Sequence, residues 1–224
     1  MKKTFEFLNK LDKNNDREWF LKNKKMYEQS HEEMLHFAQK VIDEMSEFDH
    51  IETMSGKRSL FRIYRDVRFG VNKTPYKTNW AGRLRRATDE LRGGYYYQIG
   101  PSGSFVLGGF FGPNPKDLLH IRKQLEQDSE PLRVILNSDQ FKVFFGDLRG
   151  SQLKTAPRGF DKQHPEIDLL RYKQFIVRHD FTDEEVFQDD FSKTIALAFD
   201  QMRPFFDAMT DILTTDLNGR PMLY

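Results

Sequence analysis

Residues 57–77 read KRSLFRIYRDVRFGVNKTPYK, and the alternation inside this run sets the reading of the whole chain. Phe61, Ile63, Val67 and Phe69 fall on alternate positions, which a pleated strand sends to one face, leaving Arg62, Tyr64, Asp66 and Arg68 on the other. Arg65 breaks the pattern: its parity places a guanidinium among apolar side chains, where a charge is tolerated only if paired and hydrogen-bonded. An acid from elsewhere in the chain, or a bound anion, is expected to meet it. Gly70 to Thr78 then reads as a turn carrying Lys73 and Lys77, with Pro75 fixing the backbone and biasing Thr74 towards an extended conformation. Such a turn holds two amines and the Tyr76 hydroxyl near the end of the strand.

Charge is concentrated around this stretch. Between residues 57 and 86 ten basic residues face one acid, Asp66, a local charge of +9 in a chain whose net charge is +1. The segment 180–216 has the opposite bias, with ten acids and two bases. Either those acids form a solvated outer helix face, or some of them pair with the basic stretch, within the chain or across a dimer.

At 224 residues the chain suffices for one well-cored domain spanning 1–224. Its 38% hydrophobic content is low, but 21 Phe and 8 Tyr supply large apolar area per residue, so a Phe-rich core is expected. Cysteine is absent, which excludes disulfides, thiolate nucleophiles and Cys-ligated metals and fits a reducing cytosol. The opening MKKTFEFLNKLDKNN lacks the apolar run of a secretory signal, and no stretch approaches the length of a membrane span. A cytoplasmic location with no membrane partner is therefore expected. A pI near 7.9 gives no global bias towards nucleic acid, so that partner would have to bind the local patch.

Around the basic run, helices are expected at both ends. Thr4 to Leu11 places Phe5, Leu8 and Leu11 on one side. Asn14, Asn15 and Asp16 supply turn and cap chemistry before a second helix opens at Arg17 to Phe20. Met34, Ala38, Val41 and Met45 follow amphipathic helical spacing. Residues 79–94 suit a short exposed helix or a mobile loop. Tyr95 to Ile99 and Ser104 to Phe111 read as a hairpin around Gly100–Gly103, with Tyr95 and Tyr97 sharing a face that Tyr96 leaves. Gly108 and Gly109 mark a bulge or the close approach of another backbone or ligand. Pro115, Pro131 and Ser138 introduce three helices, and 173–178 a further strand. Thr182 with Glu185 matches a capping box, and Pro204 should kink or divide the helical region that follows. The fold class expected is α+β, with a largely antiparallel central sheet packed by N- and C-terminal helices.

Several mechanisms are set aside because their motifs are missing: no GxSxG elbow, no Walker loop, no GxGxxG after a strand and no HExxH. The six histidines, 31, 36, 50, 120, 164 and 179, show no tight metal-ligand spacing, and His31 and His36 read as lying on or near a helix surface. No metal ligands are assigned, and no cofactor is indicated. What remains is anion recognition. Arginine forks bind phosphate or carboxylate bidentately and lysines add point charge. Arg62, Arg65, Arg68, Lys73, Tyr76 and Lys77 form the candidate site, joined by Lys154 and Arg158 of the loop LKTAPRGF (153–160) if the loops converge. Asp66 either orients an arginine, acts as a base, and so is the one catalytic candidate, or contributes to a metal site. The first partner expected is a small phosphorylated or carboxylated ligand, with or without an enzymatic step. Nucleic acid is the alternative, since Tyr64, Tyr76 and Trp80 interleave with the cations. In a third reading the stretch is structural or binds a protein partner.

Phe7, Leu8, Leu11, Asn14, Asn15, Trp19 and Phe20 near the start, FRIYRDVRF and KTPYKTN between Phe61 and Asn79, the glycine-rich hairpin and LKTAPRGF together resemble the conserved hypothetical proteins called domain of unknown function 2461. The resemblance spans nearly the whole chain. It implies that the basic run is a family feature, and it brings no established activity.

Overall fold

The computed structural model describes residues 1–68, 71–87 and 91–222. In chain order the elements are α1 (Lys2–Lys13), α2 (Arg17–Lys22), α3 (Lys24–Met45), α4 (Gly56–Ser59), β1 (Trp80–Arg85), β2 (Gly94–Ile99) and β3 (Ser104–Phe110). They continue with α5 (Pro115–Gln127), α6 (Glu130–Asn137), α7 (Asp139–Phe145), α8 (Ile167–Leu170), β4 (Phe175–Phe181), α9 (Asp183–Val186), α10 (Phe191–Asp200) and α11 (Arg203–Thr214). The four strands form one antiparallel sheet in the order β1-β2-β3-β4, so the fold is α+β as expected. The residues gather into two compact units: Met1–Arg85, Tyr95–Val106 and Asp180–Asp200 form the first, and the described parts of Arg86–Gly94, Leu107–His179 and Gln201–Tyr224 the second.

In the first unit, α1 buries Phe7, Leu8 and Leu11 completely, and α3 buries Met34, Ala38, Val41 and Met45. Both stripes repeat at three and four residues, so each helix turns one apolar face to the core. Asp16 ends the gap between α1 and α2 by accepting the Trp19 N–H at 2.8 Å, the cap expected from its position. Tyr95 and Tyr97 are buried while Tyr96 faces outward. The Tyr95 hydroxyl donates to Asp49 at 2.6 Å, and its ring meets Phe199 of α10 at 4.8 Å. Thr182 and Glu185 make the reciprocal capping box that opens α9.

The short turn α4 is seated on α3 through a glycine. A Cβ on Gly56 would lie 2.6 Å from the Leu35 carbonyl and 2.7 Å from the Gln39 amide. Its N–H instead donates to the Gln39 side chain at 3.0 Å. The start of the basic run is thereby held against the helix backbone.

The second unit packs Phe110, Phe175, Val177, Phe205 and Phe206 into its core. Pro115 and Ser138 open their helices as expected, with Ser138 accepting from Phe141, and Asn114, not singled out in the sequence, caps the first by accepting from Asp117. Gly108 and Gly109 are needed for close approach. A Cβ on Gly108 would meet the Met202 sulfur at 2.3 Å, and one on Gly109, whose φ is +134°, would meet the Phe175 carbonyl at 2.1 Å. Pro204 stands in the first turn of α11, where its missing N–H costs nothing, and α10 has ended at Asp200.

Two expectations are corrected. Residues 80–85, expected as an exposed helix or loop, form β1. The period of two was hidden in the sequence because Ala81 and Gly82 carry little hydrophobic signal. Residues 88–90 of the same stretch lie outside the described residues. The expected strand over 61–69 is not a regular strand: it makes isolated bridges at Leu60 with Gly82 and at Tyr64 with Tyr76. Phe69 and Gly70 lie outside the described residues.

Candidate functional site

The basic run is an irregular two-legged arm rooted on β1. Phe61 N–H donates to the Ala81 carbonyl at 2.8 Å, Lys77 N–H to Ile63 at 2.8 Å and Arg65 N–H to Pro75 at 2.9 Å. The legs do not extend into a ladder because their other edge is engaged elsewhere. Asn15, from the turn between α1 and α2, accepts the Tyr76 N–H and donates to the Tyr76 carbonyl, both at 3.1 Å. One side-chain amide thus takes the place of a neighbouring strand, while Pro75 has no N–H to offer. At the tip, Asn72 accepts the Thr74 amide and hydroxyl at 2.9 and 2.8 Å, which closes the bend.

From Arg62 to Arg68 the expected alternation survives without the strand, but Phe61, expected on the inner face with Ile63, is 36% exposed. Arg62, Tyr64, Asp66 and Arg68 are exposed, whereas Ile63 is buried and Arg65 and Val67 are half-buried. Arg65 is half-buried and meets no acid among the described residues. Its guanidinium donates to the Thr74 hydroxyl at 2.9 Å.

The candidate cations divide by what they touch. Arg68 is tied to Asp66 through Nε at 3.0 Å and Nη2 at 2.7 Å. The Arg68 side chain and backbone, with Arg62 beyond, hold the Asp66 carboxyl below its usual range. An exposed carboxylate so held is a poor proton acceptor near neutral pH, and the arrangement suits orienting Arg68. Lys73 donates to the Val67 carbonyl at 2.9 Å. Lys77 donates to the Arg62 carbonyl at 3.0 Å, and its amine is 5.5 Å from the centroid of the Phe61 ring. Burial first, then the charges of Arg62 and Arg65, hold the Lys77 amine below its ordinary value. Among the described residues, no carboxylate pairs with Arg62, Arg65 or Lys77.

Elsewhere the run is partly neutralised from within the chain. Arg85 meets Glu52 at 3.0 Å. Arg86, which is buried, meets Asp207 at 2.6 Å, so one acid of the acidic C-terminal segment does reach the basic stretch. Lys154 and Arg158 are exposed residues of the second unit, whereas Arg62, Arg65 and Lys77 belong to the first.

The aromatics are sorted differently from the expectation. Tyr76 is buried and stacks on Phe20 at 4.0 Å and 9°, and Trp80 is buried with its indole N–H donating to Ser30 at 2.9 Å. Neither ring is open to a ligand. Tyr64 is 47% exposed and leans on both Phe20 and Tyr76. His31, expected near a helix surface, is half-buried with its ring stacked on Tyr27 and Trp80 at 5.6 and 5.4 Å. Burial, then Lys57, lowers its pKa and favours the neutral imidazole. No sequence motif marked His31, because only Tyr27 neighbours it along α3, while Trp80 comes from β1 and Lys57 from α4. Asn15 and Gly56 were equally invisible as anchors, since each acts through backbone distant in numbering.

Among the described residues, no group of three or more His, Asp or Glu side chains gathers to hold a metal ion, and no helix is long and apolar enough to cross a membrane. No curated protein and no solved structure matches the chain. The sequence pattern of the conserved hypothetical proteins DUF2461 matches residues 3–207, which takes in the arm, its anchors at Asn15 and on α3, and the sheet, and the chain belongs to that family.

Proposed function

We propose that this protein binds a phosphorylated or carboxylated ligand on the arm, through Arg62, Arg65 and Lys77. The observation that carries the reading is that these three cations form no ion pair among the described residues, while burial first, and then the charges of Arg62 and Arg65, depress the Lys77 amine. Like charges held near one another are unfavourable until a counter-charge arrives. A phosphate or carboxylate is the counter-charge whose geometry matches two guanidinium forks and an amine. Arg68 and Lys73 are secondary contributors, since Asp66 and the Val67 carbonyl already engage them. The setting proposed is the cytosol, which suits a chain without cysteine.

Calorimetric titration with pyrophosphate and citrate at low ionic strength tests the reading. Charge-assisted hydrogen bonds contribute about 1.5–3 kcal/mol, so Arg62→Gln or Lys77→Gln should weaken binding roughly 10- to 150-fold. Binding should also weaken as pH rises through the lowered titration range of Lys77. No binding of either anion, or equal affinity in both variants, would overturn it.

A further inference from the structure

The first unit's sheet presents a row of aromatic side chains on its outer face. A Cβ on Gly82 would lie 2.4 Å from the Tyr97 ring, so Gly82 faces inward with Tyr97. Alternation along β1 then turns Ala81, Arg83 and Arg85 outward. Phe61 lies beside β1, and across the small Ala81 its ring meets Tyr96 at 6.3 Å. Tyr96 in turn meets Phe105 at 6.1 Å and 32°. None of the three is buried: Phe61 is 36% exposed, and Tyr96 and Phe105 are half-buried.

Cations border the row. Lys77 sits 5.5 Å from the Phe61 centroid, which joins the row to the arm. Arg83 is exposed on the same face, without an ion pair among the described residues. Arg85 also faces outward and is paired with Glu52 at 3.0 Å.

Resting on the reading that the arm takes an anion, we infer that this face binds single-stranded nucleic acid, its bases stacking on Phe61, Tyr96 and Phe105 while Lys77, Arg83 and Arg62 hold its phosphates. Every base has a π-face, so a row of rings serves a strand whatever its sequence, and a basic border tracks the backbone. A duplex hides those faces in its own stack. A lone phosphate or carboxylate has no use for the rings.

Fluorescence anisotropy with a short labelled single-stranded oligonucleotide tests this, with pyrophosphate titrated in parallel as a probe that needs only the cations. The oligonucleotide should bind more tightly than its duplex, with affinity falling steeply as salt rises. Phe105→Leu and Tyr96→Leu keep apolar bulk but remove the ring, and each should weaken oligonucleotide binding roughly 5- to 150-fold. Pyrophosphate binding should be unchanged in both. Arg83→Gln, on an exposed side chain that cannot compromise folding, should lower affinity severalfold and reduce the salt slope by about one. Pyrophosphate binding without oligonucleotide binding overturns the inference and leaves the anion reading standing; loss of both removes the two together. Oligonucleotide binding indifferent to Tyr96, Phe105 and Arg83, or equal binding of duplex, also overturns it.

Discussion

Gly56→Ala adds one methyl group where the basic run is seated on α3, and its effect can be worked from distances. The new Cβ would stand 2.6 Å from the Leu35 carbonyl oxygen and 2.7 Å from the Gln39 amide nitrogen, where ordinary contact begins at 3.4 Å. Both atoms belong to the interior of a 22-residue helix whose backbone is fixed by its own bonds, so residues 55–59 must retreat by about 0.8 Å. That retreat stretches the Gly56 N–H bond to the Gln39 side chain, now 3.0 Å. Overpacking costs about 1–3 kcal/mol, and a strained hydrogen bond adds about 1 kcal/mol. For a chain of this size each kcal/mol moves Tm by about 2–4 °C, so a fall of about 4–16 °C is expected in thermal melts. Gly112→Ala is the internal control, because a Cβ there meets nothing within 4 Å. That change should be neutral or stabilise by about 0.4–1 kcal/mol through the unfolded chain. Equal melting of the two variants would refute the argument that space, and not backbone freedom, explains Gly56.

Tyr97 carries a fully buried hydroxyl that makes no well-formed hydrogen bond among the described residues, and burial pushes it up to about 12 against a smaller opposing effect of the Ser59 side chain. Tyr97→Phe should leave urea stability unchanged or raise it by up to about 1 kcal/mol, and a clear loss would show that the hydroxyl is satisfied. Asp66→Asn should release Arg68 without moving Tm, since both side chains are largely exposed, and should tighten pyrophosphate binding severalfold. Weaker binding would place the carboxylate itself in the site. Burial opposes ionisation of Glu33, but the Thr4 hydroxyl and amide and the terminal amine outweigh it and hold the carboxyl below its usual value. Its contribution to stability is therefore present above the ordinary Glu pKa and lost as pH falls through the lowered one. Melting curves taken down through the carboxylate range should be shallower for Glu33→Gln, and parallel curves would contradict the assignment.

Much of the architecture was legible because it rests on local signals. Helix α3 follows from the spacing of Met34, Ala38, Val41 and Met45. The hairpin follows from alternating tyrosines around a Gly-Pro-Ser-Gly turn, and the capping box and Pro204 mark their helices in a few adjacent residues. Strand β1 was not legible, because Trp80, Gly82 and Leu84 face inward with only two large side chains among them. The arm was half legible. Its in-and-out parity was correct for Arg62 to Arg68, but a continuous strand was not, since Asn15 takes the Tyr76 backbone groups that a neighbouring strand would have used.

The sequence by itself determined the family, through its motifs, and also the α+β class and the clustering of positive charge over residues 57–86, because periodicity and composition survive any arrangement of the elements. Only the tertiary structure decided which cations are already occupied, which rings are buried and which stand on the outer face. Asp66 claims Arg68, Asp207 claims Arg86, and Tyr76 and Trp80 are buried in the core, whereas Phe61, Tyr96 and Phe105 line up on the outer face. Partnership and exposure depend on which distant residues come within a few ångströms, and that is a property of packing which no single stretch of the chain encodes.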